Sequence, residues 1–277
     1  MNEAIIVQNA DNNNTQTGGI IRGHNVVAVA SGKGGVGKTW FSISLAHALS
    51  KQGKRVLLFD GDLGLANVDV QLGLMPKRDL NDVIRGRLSL GQVVQRYDEG
   101  GFDIIAGRSG QASLSALPTQ RLIMLRDQLM DLSHEYDSVV IDLGAGVDRT
   151  VRMMAASATR TMLVATDEPT SLTDAYAFIK LGSAAGMSKN ISIVINQAQN
   201  VLEGEKTYKT LLKACENFLR LSPPMAGMIR HDPKVKDCIR HQTPLLIRSP
   251  NCEAAGDIEK IARHVDEALK RAAVAAA

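Results

Sequence analysis

The residues Ser31-Gly32-Lys33-Gly34-Gly35-Val36-Gly37-Lys38-Thr39 carry the densest chemistry in the sequence. They satisfy the pattern GxxxxGK[ST], in which glycines let the backbone take positive φ and come close to an anion. Successive N–H groups of Gly34, Gly35, Val36 and Gly37 then ring a phosphate. Lys38 is placed to reach the β- and γ-phosphates, and the Thr39 hydroxyl to ligate Mg²⁺. Trp40, the next residue, belongs to the same nucleotide-contact set. A glycine-rich turn with an incidental lysine is the competing reading. It fails because an apolar run of strand length precedes the loop and an apolar helical pattern follows it.

Two further segments place carboxylates straight after apolar runs. Phe59-Asp60-Gly61-Asp62 presents two at i and i+2, a spacing that puts both on one face of an extended chain. Asp60 is expected to support the Mg²⁺ shell and its loop, and Asp62 to face the nucleotide beside the metal. The run 138–141 delivers Asp142, the arrangement of a Walker B strand that holds Mg²⁺ directly or through water. Gly144 and Gly146 follow and permit a backbone that rearranges around a γ-phosphate. The metal set is thus Thr39, Asp60, Asp62 and Asp142, whereas Asp69 also suits a helix N-cap. Thr166-Asp167-Glu168-Pro169-Thr170-Ser171 opens a later helix, with Thr170 or Ser171 expected as N-cap and Asp174 in the first turn.

These loops need rigid strands beneath them. Apolar runs at 26–30, 55–60, 102–106, 138–142, 161–166, 191–196 and 225–229 recur between helical patterns. The helical patterns lie at 38–52, 119–135, 147–158, 171–185, 203–219 and 253–271. Runs without polar alternation suit parallel strands buried on both faces. Strand, helix, strand with right-handed crossovers predicts an α/β fold: a doubly wound, mostly parallel sheet with helices on both faces, the Rossmann-like P-loop NTPase form. Ligands in such sheets bind beyond the carboxyl ends of the strands, where the glycines and aspartates above lie. Residues 1–24, polar and Asn-rich, read as a flexible arm, and 25–277 as a single domain.

Of the 277 residues, 44% are hydrophobic and 22% charged, enough for a sizeable core, so a disordered, collagenous or disulfide-held chain is excluded. Cys215, Cys238 and Cys252 are scattered, which argues against structural zinc and for a reducing compartment. No signal peptide and no apolar run of about 18 residues is visible, which points to the cytoplasm. A net charge of +3 is far short of a dedicated nucleic-acid binder, so Lys234, Lys236 and Arg240 read as a solvated helix face. Met153-Met154 reads as core packing.

The run Lys33-Gly34-Gly35-Val36-Gly37-Lys38-Thr39 resembles the deviant Walker A loop of the MinD/ParA family, and the resemblance extends from about Val26 to Arg271. It implies slow, Mg²⁺-dependent ATP hydrolysis activated by dimerisation. Lys33 is expected to reach the partner's nucleotide across the dimer and act on the γ-phosphate much as an arginine finger does. Lys33, Lys38 and Asp62 are then the catalytic residues, with Asp62 orienting the attacking water. The resemblance also puts Glu168 near the partner's nucleotide and has the Asn196 amide read adenine. Arg230 and Asp232 follow the last strand and are expected to flank the base. Relatives commonly have Pro at Arg230, and Pro or Thr where Leu143-Gly144 stand.

Two stretches narrow the resemblance: Asp62-Leu63-Gly64-Leu65-Ala66-Asn67-Val68-Asp69-Val70-Gln71-Leu72-Gly73-Leu74 and Asp167-Glu168-Pro169-Thr170-Ser171-Leu172-Thr173-Asp174-Ala175-Tyr176. Both are similar to the FlhG (FleN or YlxH) group of MinD-like ATPases. That implies an ATP-dependent dimeric switch regulating flagellar number, placement and gene expression. Its expected partners are a flagellar transcription activator, an FlhF-type GTPase or a switch-complex protein, at a cytoplasmic position near a pole or the inner membrane face. Residues 1–24 lack the DQAxxLR-like element that activates the FlhF-type GTPase. Ile258, Ile261, Ala262, Val265, Ala268 and Leu269 form a helical stripe that reads as a helix packed on the sheet, with membrane contact the lesser alternative. A ParA-type DNA- or cargo-partitioning ATPase and a metabolic P-loop ligase of the dethiobiotin synthetase kind are the rivals. The first needs stronger basic character, and the second a substrate pocket that no residues announce.

Overall fold

β1 (Val26–Ser31) is buried at every position. Val26, Ala28 and Ala30 join one apolar cluster, Val27 and Val29 the other. Side chains alternate along a strand, so an unbroken apolar run means that both faces are covered. In the computed structural model, which describes residues 23–62, 67–107 and 117–276, β1 lies near the middle of an eight-stranded sheet of order β3-β4-β2-β5-β1-β6-β7-β8. The others are β2 (Val56–Gly61), β3 (Gln95–Tyr97), β4 (Phe102–Ile105), β5 (Ser138–Ala145), β6 (Arg160–Ala165), β7 (Ile191–Ala198) and β8 (Met225–Arg230). Every pairing is parallel except β3 with β4, so the expected doubly wound sheet is present with one antiparallel edge.

Helices cover both faces. α4 (Thr119–Ser133), α5 (Arg149–Ser157), α6 (Pro169–Ala184) and α7 (Val201–Leu219) supply Leu125, Met154, Phe178 and Leu211 to the first cluster. α1 (Lys38–Lys51), α8 (Pro233–Arg240), α9 (Leu245–Arg248) and α10 (Glu253–Ala276) supply Phe41, Cys238, Leu245 and Ile258 to the second. Two short helices, α2 (Val68–Leu72) and α3 (Leu80–Ile84), follow β2. The stripe from Ile258 to Leu269 on α10 is buried against the sheet and α1, so the packed-helix reading holds. Among the described residues no helix is long and apolar enough to cross a membrane.

The chain leaves β1 for β2 on one side of the sheet, and reaches β6, β7 and β8 on the other. Crossovers diverge at the carboxyl end of β1, which opens a crevice there. The arm expected at 1–24 falls outside the described residues except for Gly23 and His24, and so does Leu63–Ala66 of the quoted motif.

Candidate functional site

The crevice is floored by the loop between β1 and α1. Ser31 Oγ donates to the Lys33 carbonyl at 2.9 Å and tightens the turn. Gly35 and Gly37 take φ of 81° and 88°, the left-handed region that L side chains avoid. A Cβ at Gly37 would also strike the Asn196 amide, and one at Gly32 the α6 backbone at Asp174. The loop is pressed between α6 and the end of β7.

Lys38 opens α1 and is buried, with Nζ 3.3 Å from Asp142 Oδ1. One turn on, Ser42 Oγ lies 3.0 Å from the same oxygen and 3.1 Å from the Lys38 carbonyl. Asp142 Oδ2 is buried and has no partner among the described residues. Asp60 stands opposite Asp142 in the β2–β5 register, fully buried, and accepts from the backbone N–H of Asp62 (3.2 Å) and Val68 (3.3 Å). Burial, and then the neighbouring Asp142 charge, push its pKa well above the usual carboxylate range. Side-by-side buried carboxylates repel, and a divalent cation relieves this.

Thr39 is buried at the head of α1, and Asp62 lies beside Gly144, where an added Cβ would sit 3.5 Å from Asp62 Oδ1. The Leu143-Gly144 departure therefore leaves the ground beside Asp62 open. Among the described residues no three His, Cys, Asp or Glu converge on a metal position. Mg²⁺ is characteristically held by one or two carboxylates together with phosphate and water, and Thr39, Asp60 and Asp142 with its orphaned oxygen fit that demand.

Lys33 goes elsewhere. Its side chain is 37% exposed and its ammonium contacts the Glu168 carboxylate and Thr170 Oγ1, the latter at 2.8 Å. Here the structure corrects the expected capping. α6 begins at Pro169 with Glu168 at its N-cap, no side chain caps it, and no acidic residue lies in its first turn. Proline preset for the first helical position moves the start two residues earlier. Thr170 is turned to Lys33, and Ser171 Oγ accepts from the Thr166 N–H at 3.0 Å. The reading of Asp69 as an N-cap is corrected too: Asn67 precedes the helix, and Asp69 lies within α2 with its carboxylate on the Val70 N–H at 2.8 Å.

Residues 27–245 match the CobQ/CobB/MinD/ParA nucleotide binding domain. This chain belongs to that family. The antiactivator FleN of Pseudomonas aeruginosa is 39% identical over 87% of this chain and 86% of its own. The flagellum site-determining protein YlxH of Helicobacter pylori is 31% identical, over 85% of this chain and 80% of its own. The septum site-determining protein MinD of Pyrococcus horikoshii, solved with Mg-ADP, shares the fold with a TM-score of 0.70 and 24% identity, over 88% of this chain and 96% of its own. The protein is accordingly a MinD-like ATPase, and its glycine loop has the pattern of a nucleotide cradle.

Beyond the cradle lies a cavity of about 210 Å³ that takes in Gly35, Gly37, Trp40, Asn196, Arg230 and Asp232. Trp40 is buried, and its Nε1 has no partner among the described residues. Asn196 lines the cavity but is engaged: its Nδ2 donates to the Val36 carbonyl (2.7 Å) and its Oδ1 accepts from the Gln197 N–H (2.9 Å). In this conformation it lashes the loop to β7. Asp232 caps α8 through the Lys234 N–H. Arg230 lines this cavity as well, and its guanidinium is held by α10. Nε and Nη2 donate to Asp257 at 2.9 Å each, and Nη1 to Glu253. Ser42 and this clamp were not singled out by the sequence reading. A hydroxyl residue four positions after Lys38, one turn along the same helix, was the available signal for Ser42.

Proposed function

We propose that this MinD-like ATPase works as an ATP-dependent dimeric switch controlling flagellar number and placement. The observation that carries the reading is the separation of the two loop lysines. Lys38 is buried with Asp142 in its own site, whereas Lys33 sits on the exposed rim against Glu168 and Thr170. A lysine so placed is available to a second subunit closing over the crevice. Each Lys33 leaves its Glu168–Thr170 contact and meets the partner's γ-phosphate, adding positive charge where negative charge builds up. Lys38 and the loop N–H groups orient the triphosphate, and Asp62 orients the attacking water. Thr39, Asp60 and Asp142 would hold Mg²⁺, which would supply positive charge against the phosphates. Asn196 holds the loop, while Trp40 and Asp232 wall the base cavity.

Hydrolysis reopens the dimer, so the reaction acts as a timer for a surface that exists only when two subunits are closed. Residues 25–277 act as one ATPase unit and 1–24 as an arm. The names antiactivator and site-determining protein, carried by relatives at 39% and 31% identity, support a flagellar output. A flagellar transcription activator fits best as partner, with an FlhF-type GTPase or switch-complex protein as further candidates. The setting is the cytoplasmic side, towards a cell pole. The test is ATP turnover against protein concentration. Turnover per subunit rises with concentration in the wild type and stays flat in Lys33→Ala; a wild-type rate independent of concentration contradicts the dimer-assembled site.

A further inference from the structure

Three arginines line one cavity on the α4–α5–α6 side of the sheet, apart from the nucleotide crevice. The cavity, about 240 Å³, is bounded by Arg126 of α4, by Arg149, Arg152, Met153 and Ala156 of α5, and by Ala185 at the end of α6. Arg126 is paired with its neighbour Asp127, Nε to Oδ1 at 2.8 Å and Nη2 to Oδ1 at 2.6 Å. Arg149 and Arg152 have no ion pair among the described residues, and Arg152 Nε is buried without any hydrogen-bond partner there. Asp148, the nearest acid along the chain, is turned to the Val151 N–H as the cap of α5.

This placement runs against ordinary electrostatics. Guanidinium groups stay charged at any physiological pH, so neighbouring arginines repel. Arg149 and Arg152 also fall in the first turn of α5, where free N–H groups already carry positive charge and acids are the favoured residues. An unpaired buried donor adds a desolvation cost of its own. A bound anion relieves all three.

We infer that this cavity binds a small phosphoryl anion, of the class of pyrophosphate or a phosphate monoester. Two free guanidinium forks offer more N–H donors than a single carboxylate accepts, and their planar geometry matches paired phosphate oxygens. The pocket is concave and has an apolar wall of Met153, Ala156 and Ala185, which suits a compact ligand rather than a flat acidic protein face. Its residues are not those of the nucleotide site, although α5 follows β5, the strand that carries Asp142.

The experiment titrates inorganic pyrophosphate, without free Mg²⁺, into protein already saturated with ADP and follows the heat of binding. The expected result is saturable one-to-one binding that Arg149→Gln/Arg152→Gln weakens by roughly tenfold or more, with ADP affinity unchanged as proof of folding. Pyrophosphate that merely displaced ADP from the glycine loop would persist undiminished in that variant and overturn the inference. Absence of binding to the wild type would overturn it equally. Failure of ADP to load would instead count against the nucleotide reading, and the same titration of the unloaded protein still reads the arginine cavity.

Discussion

Asp142 is the residue on which the chemistry of the crevice converges. Its Oδ1 takes Lys38 and Ser42, its Oδ2 is left open, and Asp60 presses on it from the neighbouring strand. Ser42 is expected to act as a positioning residue, since its hydroxyl holds the Asp142 carboxylate. Ser42→Ala is expected to remove a charge-assisted hydrogen bond worth about 1.5–3 kcal/mol at most. It should raise the Mg²⁺ concentration needed for half-maximal hydrolysis several-fold and leave metal-free ATP binding as it was; a merely structural serine would leave the Mg²⁺ requirement unchanged. Lys38→Ala removes the buried cation beside Asp142. Its ATP affinity is expected to fall by roughly a hundredfold, about 2.7 kcal/mol, in a nucleotide titration. Micromolar binding in that variant would remove Lys38 from the site.

At the level of elements, Arg230 joins the end of β8 to the first turns of α10 through Asp257, a carboxylate only 6% exposed. Removing Arg230 strands the buried Asp257 charge, so Arg230→Ala is expected to cost about 3 kcal/mol of stability, Asp257→Ala less because Arg230 is partly exposed and keeps Glu253, and the double variant little more than Arg230→Ala. Chemical denaturation reads this directly. A loss of ATP affinity confined to Arg230→Ala, with Asp257→Ala neutral, would assign Arg230 to the base. The seven apolar strands and the six long helices were legible because each repeats a burial pattern over many residues. β3 was not: Gln95-Arg96-Tyr97 is three residues long, largely polar, and defined only by its pairing with β4. The start of α6 was misplaced because two hydroxyl residues look like caps, while Pro169 decides the geometry. The glycine loop was readable since its spacing is local. The Arg230 clamp was not, since its partners lie 23 and 27 positions away and meet only through the fold.

For the whole molecule, the sheet gathers loops from six strands at one end, and Lys33 stands on the rim of that end rather than inside it. The buried stripe of α10 anchors the opposite helical layer, so output is expected from the crevice side and not from a membrane-inserted helix. On the function proposed above, a closed pair of subunits completes both sites at once, and hydrolysis directed by Asp62 opens it. The most direct measurement is the mass of Asp62→Ala by light scattering after size exclusion, with ATP·Mg²⁺ and then with ADP·Mg²⁺. A stable dimer with ATP and a monomer with ADP is the predicted result. A monomer under both conditions, with ATP shown to be bound, would contradict the trans role of Lys33 and the switch built on it.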